Sequence, residues 1–285
     1  MKLCRFGRDR LGLVAGDQVH DVTAALDSLP PVRYPLPRFD PLIAHLEELR
    51  PRIAALAAAV PPQALASLEL LSPIANPGKL IGAPVNYRKH EQEGRADPAI
   101  HHDRHLAAIR EIGLFLKATS SLVGACAGVR VRHSNRRNDH ELELAVVIGR
   151  TADRVSRQAA PGHIAAYCVG LDMTARGPED RSLRKSIDSF SVLGPWLVTA
   201  DEIENAGDLQ MTLEVNGELR QQASTRDLIV DVPELIAWAS SFYTLHPGDV
   251  IFTGTPEGVG PVVPGDRMRA CIAGIGCMDV AVHAA

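Results

Sequence analysis

Hydrophobic and polar positions in the first 72 residues predict a small region of short strands followed by helix. Residues 1–25 contain short apolar runs, which Gly-Arg-Asp-Arg and Gly-Asp turn signals separate. After a proline-rich loop, Asp40 and Pro41 are typical of a helix start, and we expect this helix to end at Pro51. Its apolar face consists of residues at helical spacing, namely Leu42, Ile43, Leu46 and Leu49. A second helix is expected within residues 52–60, and proline-rich segments beyond it place a boundary near residue 72.

Strands dominate the pattern of residues 73–285. The runs KLIGAPV, GLFLKA and ELELAVVIG are apolar enough for buried strands, and Asn216-Gly217 between two alternating runs predicts a β-hairpin. Asp231 begins a predicted helix whose apolar face is formed by Leu235, Ile236, Ala239, Phe242 and Leu245. Because strands outnumber helices and do not alternate regularly with them, we predict a β-rich α+β fold rather than a doubly wound sheet.

Composition narrows the classes of protein that remain. The 285 residues are 46% hydrophobic and 22% charged, as in globular proteins, and the net charge of −4 argues against a nucleic-acid-binding protein. No apolar run is long enough for a transmembrane helix, and the start has no signal-peptide pattern. The five cysteines are odd in number and widely spaced, without Cys-x-x-Cys. We therefore expect a cytoplasmic protein with reduced thiols rather than a disulfide framework or a zinc site.

Three acidic residues lie in or beside apolar strands. Glu141 and Glu143 are two residues apart on a predicted strand, so both side chains point to the same face, and Asp172 follows another apolar run. Carboxylates at close range repel unless a cation joins them or one keeps its proton. Their oxygens suit a hard divalent ion such as Mg²⁺, Mn²⁺ or Ca²⁺. The alternatives are a solvated strand face for the glutamates and a helix or turn cap for Asp172.

A histidine and a glutamate form a second candidate group. His90 and Glu93 share one face if their segment is a short helix, and a carboxylate beside an imidazole orients the ring as a general base requires. The alternative is an exposed, solvated pair. Lys117 and Lys185 lie in apolar contexts, where a lysine either extends its ammonium to water or pairs with an anion.

Two further motifs carry weaker signals. The glycine-rich turn that contains Thr255 follows a strand and would present backbone N–H groups to a carboxylate, although an ordinary tight turn explains it equally well. His101 and His105 are four residues apart and offer a second metal site, but their polar, alanine-rich surroundings favour a solvated segment.

Several stretches occur in a distinctive order along the chain. They are KLIGAPVNYRKHEQE, LFLKATSSLVG, HELELAVVIGR, VGLDMTAR, RKSIDSFSVLGPWLVTADEI, VNGELRQQAST and LHPGDVIFTGTPEGVG. In this order they resemble the fumarylacetoacetate hydrolase family, most densely from Lys79 to Gly260, and the opening MKLCRFG is similar to the family's start. The resemblance implies a mixed β-sandwich roll for a catalytic domain over residues 73–285, with a small N-terminal α+β region over residues 1–72.

The resemblance also implies roles for individual residues. The metal ligands correspond to Glu141, Glu143 and Asp172. The catalytic positions correspond to His90 and Glu93 on a lid over the substrate and to Lys185 beside the metal. Substrate-binding positions correspond to Lys117, Arg176 and Thr255. Family members are typically homodimers that use Mg²⁺ or Mn²⁺, with Ca²⁺ a further candidate, and their substrates carry a 2-oxo acid or β-diketo unit.

The resulting hypothesis is an acylpyruvase-like enzyme that hydrolyses a C–C bond in an acylpyruvate or related β-diketo acid, in aromatic or carbohydrate catabolism. His90, aligned by Glu93, would activate water, and the metal would stabilise the leaving enolate. The alternative is a decarboxylase, isomerase or lyase of a 2-oxo acid, because the same enolate stabilisation serves those reactions.

The chain also departs from the family pattern. Gly177 stands where many relatives have an acidic residue, so Glu179 or Asp180 is expected to supply the pocket's charge instead. Ala118 stands where relatives often carry proline, and the segment 94–112 beside the lid is longer than in many members.

Overall fold

The structure, a computed structural model, describes residues 1–97, 100 and 108–285. The α-helices in these ranges are α1 (Pro41–Ala44), α2 (Leu46–Ala59), α3 (Arg88–Ala96), α4 (Ile109–Ile112), α5 (Arg181–Lys185) and α6 (Val232–Phe242). Short 3₁₀ helices cover Thr23–Ser28, Leu65–Ser67, Thr119–Ser121, Ala125–Ala127, Ala160–His163, Ala200–Glu202 and Thr225–Asp227. Within the same ranges, no helix combines the length and the apolarity needed to cross a membrane.

Strands carry most of the architecture. In chain order they are β1 (Lys2–Phe6), β2 (Arg10–Ala15), β3 (Gln18–Asp21), β4 (Gln63–Ala64), β5 (Leu70–Leu71), β6 (Leu80–Gly82), β7 (Phe115–Lys117), β8 (Leu122–Gly124), β9 (Val129–Val131), β10 (Asn138–His140), β11 (Leu142–Ile148), β12 (Ile164–Asp172), β13 (Thr174–Ala175), β14 (Ser191–Thr199), β15 (Gln210–Val215), β16 (Glu218–Ser224), β17 (Val250–Phe252), β18 (Gly260–Pro261), β19 (Arg267–Ile272) and β20 (Gly276–Ala284). The predicted β-rich α+β class is therefore confirmed.

The described strands form three sheets. The largest has the order β4-β3-β2-β1-β14-β12-β11-β17-β6-β7, with β5 added beside β1 and β8 beside β14. A five-stranded sheet has the order β16-β15-β19-β20-β9, and a small sheet joins β13, β10 and β18. Strand β1 pairs with β14, so the N-terminal strands extend the main sheet. The boundary near residue 72 stays a prediction.

Strand β11 lies between two cores because its side chains alternate between the faces of the main sheet. Leu142, Leu144 and Val146 belong to the core that also contains the apolar residues of β15, β19 and β20. Ala145 and Val147 belong to the core under helix α2. The main sheet is thus covered by the five-stranded sheet on one face and by N-terminal helices on the other.

The hairpin predicted at Asn216-Gly217 is confirmed. Strands β15 and β16 pair in antiparallel register around it, and both turn residues have positive φ, 54° and 82°. These are the backbone conformations that a type I′ turn requires, and asparagine and glycine tolerate them best. The helix predicted from Asp231 is also present as α6, with the Asp231 carboxylate accepting a hydrogen bond from the Glu234 N–H.

The predicted end of the N-terminal helix at Pro51 is wrong. The chain breaks between α1 and α2 at His45, and α2 then runs through Pro51. A proline inside a helix costs about 3 kcal/mol. Burial of one continuous face offsets this cost, since each large apolar side chain contributes about 1.5–3 kcal/mol. The buried residues of α2 are Leu46, Leu49, Ile53 and Ala57.

The expectation that all cysteines are reduced is also wrong. Cys271 and Cys277 face each other on β19 and β20 and form a disulfide. Cysteine spacing carries no direct signal for this bond, because the pairing of two strands brings the thiols together. Cys4, Cys126 and Cys168 are free thiols.

Candidate active site

The three acidic residues selected from the sequence meet at one end of β11 and β12. Leu142 pairs with Leu171 and Glu143 with Gly170, which places Glu141 opposite Asp172, and the Asp172 N–H donates to the Glu141 carbonyl at 2.9 Å. All three side chains are buried, and their potential ligand oxygens lie within 4.8 Å of one another. The predicted cluster is therefore assembled by strand register.

Two buried lysines neutralise part of this charge. The Lys185 ammonium donates to Glu141 Oε2 at 2.5 Å and to Asp172 Oδ2 at 2.7 Å. The Lys117 ammonium pairs with Asp172 Oδ1 and donates to the Phe190 carbonyl at 2.8 Å. Both lysines are thus paired with anions rather than extended to water, which were the two alternatives for a lysine in an apolar sequence context.

The two glutamates have opposite electrostatic environments. Glu141 also accepts from Thr174 Oγ1 at 2.9 Å and from Arg176 Nη2 at 3.2 Å. Burial favours its protonated form, but Lys185, Arg176 and His90 outweigh burial and hold the pKa of Glu141 below its usual range.

Glu143 has no comparable partner among the described residues. It accepts a hydrogen bond from the Gly254 N–H to Oε2 at 2.6 Å, and no lysine or arginine in the described ranges forms an ion pair with it. Burial, followed by the charge of Asp172, raises the pKa of Glu143 well above its usual range. A buried carboxylate in this position is stabilised when a further cation enters the cluster.

The predicted histidine–glutamate pair lies on helix α3, beside the carboxylates. The His90 ring contacts Glu93 Oε2 through Nδ1 at 2.8 Å, and the Gly258 N–H donates to Glu93 Oε1 at 2.9 Å. A carboxylate at Nδ1 favours the tautomer with its proton on that nitrogen, which leaves the Nε2 lone pair to accept a proton. His90 is buried rather than solvated, so the exposed alternative does not hold.

A cavity of about 60 Å³ lies between these groups and has room for several water molecules. Its described lining is Ala83, Pro84, Val85, His90, Gly94, Ile100, Phe115, Glu141, Glu143, Asp172, Arg176, Arg181, Arg184, Lys185 and Thr255. Of the predicted site residues, Lys117 and Glu93 are absent from this described lining. Lys117 contacts the carboxylate of Asp172, and Glu93 contacts the ring of His90.

Sequence reasoning missed a glutamine that connects two parts of the site. Gln221 Nε2 donates to Thr255 Oγ1 at 2.9 Å, and its Oε1 accepts from the Leu142 N–H at 3.0 Å and lies 3.2 Å from His140 Nδ1. Because the Thr255 oxygen accepts from Gln221, its own proton is free to point into the cavity. The only sequence signal for Gln221 was its position on the predicted hairpin strand, in the motif VNGELRQQAST.

The region after Arg176 differs from the prediction that Glu179 or Asp180 supplies the charge of the pocket. Neither Glu179 nor Asp180 is among the described cavity residues. Both oxygens of Glu179 accept from Arg136, at 3.1 and 2.8 Å, and Asp180 caps α5 through the Ser182 N–H at 2.8 Å. The cavity lining instead includes two arginines of α5 that were not predicted from the sequence, Arg181 and Arg184. Their i, i+3 spacing beside Lys185 was the available signal.

His101 and His105, the weaker metal-site candidate, lie outside the described residues. Within those residues, the carboxylates of Glu141, Glu143 and Asp172 form the one group of three or more metal-binding side chains.

Known proteins of similar sequence match most of this chain. Residues 79–283 match the family model "Fumarylacetoacetate (FAA) hydrolase C-terminal". The chain is 59% identical over 285 residues, 99% of both chains, to a maleylpyruvate hydrolase of Aquipseudomonas alcaligenes. It is 35% identical over 212 residues to the human mitochondrial oxaloacetate tautomerase FAHD2A, covering 72% of this chain and 64% of that protein.

A solved relative shares the whole fold. The crystal structure of maleylpyruvate hydrolase from Sphingobium sp. SYK-6, in complex with manganese(II) and pyruvate, superposes with a TM-score of 0.85. It has 41% sequence identity and covers 100% of this chain and 99% of that one. The family expected from the sequence motifs is confirmed: the chain belongs to the fumarylacetoacetate hydrolase family.

Proposed function

We propose that this chain is a divalent-metal-dependent hydrolase that cleaves a C–C bond of an acylpyruvate. The observation that carries the proposal is the single cavity in which His90, backed by Glu93, lies with three buried carboxylates. Two maleylpyruvate hydrolases, of which one was solved with manganese(II) and pyruvate, support the same reaction class. Maleylpyruvate is accordingly the first substrate to test.

The carboxylate cluster fits a hard divalent cation. Its donors are all oxygens, and Glu143 is a buried carboxylate without an ion-pair partner among the described residues. We assign Glu141, Glu143 and Asp172 as ligands of Mg²⁺ or Mn²⁺. When bound, the cation would supply Lewis-acid stabilisation of the enolate that leaves from the acylpyruvate.

The dyad supplies the proton chemistry. In our mechanism, Glu93 holds the Nδ1 proton of His90 and Nε2 takes a proton from a water molecule in the cavity. That water attacks the carbonyl of the acyl group, the C–C bond to the pyruvate unit breaks, and the acyl group leaves as a carboxylic acid. The pyruvate carbon then takes up a proton, so one water is consumed for each bond cleaved.

Other residues bind and orient the substrate. The Thr255 hydroxyl accepts from Gln221 and so has its own proton to donate to a substrate oxygen. We assign Arg176 to the substrate carboxylate and Lys185 to polarising the reacting carbonyl, since both line the cavity. Lys117 contacts Asp172 rather than the cavity, so we assign it to positioning that ligand rather than to the predicted substrate contact.

Tautomerisation of a 2-oxo acid is the second candidate reaction. A specific observation favours it, namely the 35% identity to a human oxaloacetate tautomerase. An enolate-stabilising site serves this reaction without an attacking water. The two reactions differ in their products, because only hydrolysis yields pyruvate together with a second acid.

Three finer expectations complete the proposal: magnesium as the working cation, a homodimer, and a cytoplasmic location. Light scattering tests assembly, since a dimer has twice the 30.7 kDa mass of the chain.

The experiment that tests the function is an NMR time course with Mg²⁺ or Mn²⁺. Maleylpyruvate, acetylpyruvate and oxaloacetate are each incubated with and without EDTA. We expect equal amounts of pyruvate and a second acid from the acylpyruvates, and none with EDTA. A change confined to the keto–enol equilibrium of oxaloacetate would replace hydrolysis with the tautomerase reaction.

A further inference from the structure

One wall of the cavity is cationic, and its charges are not equally compensated. Arg176 and Lys185 line the cavity but are bound by carboxylates. Arg184, on helix α5, also lines the cavity, but no carboxylate of the described residues forms an ion pair with it.

Within the part of the chain that the structure describes, the Arg184 guanidinium donates hydrogen bonds to backbone oxygens only. Nε donates to the Glu179 carbonyl at 2.9 Å and Nη1 to the Ala175 carbonyl at 3.3 Å. Among the described residues, no carboxylate lies within ion-pair distance of this guanidinium, and its Nη2 group has no hydrogen-bond acceptor. An arginine has five N–H donors, so this one has donors and a full charge to offer to a ligand.

The acidic side chain that would neutralise Arg184 is directed elsewhere. Glu179 is held by both terminal nitrogens of Arg136. Arg136 fills the space beside Gly177, where a Cβ atom would lie 1.7 Å from its Nη2. A glycine at this position therefore admits Arg136, and Arg136 in turn removes Glu179 from the cavity wall.

The positive charge of Arg184 is partly buried and lies near a second positive charge, that of Arg176. Burial, and then the neighbouring Arg176, lower the pKa of Arg184, and the more distant charges of Glu141 and Glu179 offset only part of this lowering. The guanidinium stays protonated at neutral pH. An anion in the cavity would relieve both effects. A carboxylate suits this position because it accepts two parallel N–H bonds from one guanidinium.

We propose that Arg184 binds a terminal carboxylate on the acyl group of the substrate. This makes it the residue that selects acylpyruvates with a second carboxylate over those with a plain alkyl group. The inference rests on the proposed function and deepens it. The metal cluster would take the 2-oxo acid end of the substrate, and the α5 wall would take the other end.

The test compares maleylpyruvate, which has a terminal carboxylate, with acetylpyruvate, which lacks one. We expect Arg184→Gln to lower kcat/KM for maleylpyruvate about 10- to 100-fold, the usual range for a hydrogen bond to a charged group. Turnover of acetylpyruvate should be unchanged. Arg184→Lys keeps the charge and should recover part of the loss. Arg269→Gln, which removes an arginine paired with Asp279 outside the cavity, is the matched control.

A second measurement is independent of turnover. Calorimetry follows the binding of maleate, a dicarboxylate, to the wild type and to Arg184→Gln. We expect the variant to bind maleate at least about tenfold more weakly. Equal affinity would overturn the inference.

The kinetic results also distinguish the role of Arg184 from the proposed hydrolase function. An equal loss of activity on both substrates, or no loss on either, would overturn the role of Arg184 and leave the hydrolase function standing. If the wild type cleaves no acylpyruvate, the proposed function fails, and maleate binding still decides whether Arg184 holds a carboxylate.

Discussion

Replacement of Glu143 by glutamine should stabilise the metal-free protein while weakening its response to metal. Glutamine has nearly the same shape and keeps an oxygen to accept from the Gly254 N–H. The raised pKa of Glu143 means that the folded protein either protonates this carboxyl or holds it ionised beside Glu141 and Asp172, and both are unfavourable. Glutamine removes this cost. For the ionised form, each repulsion at the 4.8 Å limit of the cluster amounts to about 3.5 kcal/mol with an effective dielectric constant near 20.

The net gain is smaller because Glu143 also loses its attraction to Lys185. Buried charges replaced by uncharged groups of similar volume commonly stabilise proteins by about 1–4 kcal/mol. For a chain of 285 residues, this gain raises the Tm by about 2–7 °C. In the presence of metal, the wild type should gain stability by binding, and the variant should gain much less.

Glu141→Gln is the matched control, since Glu141 lies two residues away and has the opposite environment. It is held by Lys185, Arg176 and Thr174. Removing its charge breaks buried ion pairs and should destabilise the metal-free protein by about 3–5 kcal/mol.

Differential scanning calorimetry in EDTA, and then in excess Mg²⁺ or Mn²⁺, measures these effects. The electrostatic reasoning is refuted if Glu143→Gln melts below the wild type in EDTA, or if metal stabilises it as strongly as it stabilises the wild type.

Three further predictions concern other parts of the chain. Glu93→Gln should lower kcat about 10²-fold or more in steady-state assays, because His90 loses the carboxylate that orients it, while calorimetry should show unchanged metal affinity. In native protein, a thiol reagent should label Cys126 alone of the free thiols, since the other two are buried, and reduction should add the two disulfide thiols. Arg50 lowers the pKa of Asp201, so Arg50→Ala should cost up to about 1 kcal/mol at pH 7 in urea unfolding, and this difference should begin to shrink below about pH 4 and keep falling toward the lowered pKa of Asp201. A labelled buried thiol, or an Arg50 effect that does not decrease between pH 7 and strong acid, would contradict the corresponding structure.

The local features of the fold were predictable where one residue pattern dictates one conformation. Asn216-Gly217 requires positive φ and gave the hairpin, and Asp231 before a proline gave the helix cap. The helix end predicted at Pro51 is wrong because the local cost of a proline is smaller than the stabilisation from burying the whole helix face. The Cys271–Cys277 bond depends on strand pairing, which spacing alone does not reveal.

The residues of the candidate site likewise divide into those that local sequence patterns predict and those that depend on the fold. Glu141 and Glu143 were found because a strand places residues two apart on one face. Gln221 was missed because its role arises from contacts with residues that are distant in sequence. Arg184 was missed because its role depends on the lack of an ion pair with the residues that the structure describes. A sequence shows which residues carry charge, but the fold decides which charges are compensated.

The central claim is that the His90 dyad and the carboxylate cluster together hydrolyse an acylpyruvate. The most direct measurement is the NMR time course of maleylpyruvate cleavage by the wild type and by His90→Gln, each loaded with metal to the same occupancy by calorimetry. We predict pyruvate and maleate in equal amounts from the wild type and neither above background from His90→Gln. Undiminished cleavage by His90→Gln, or by wild type stripped of metal with EDTA, would contradict the account.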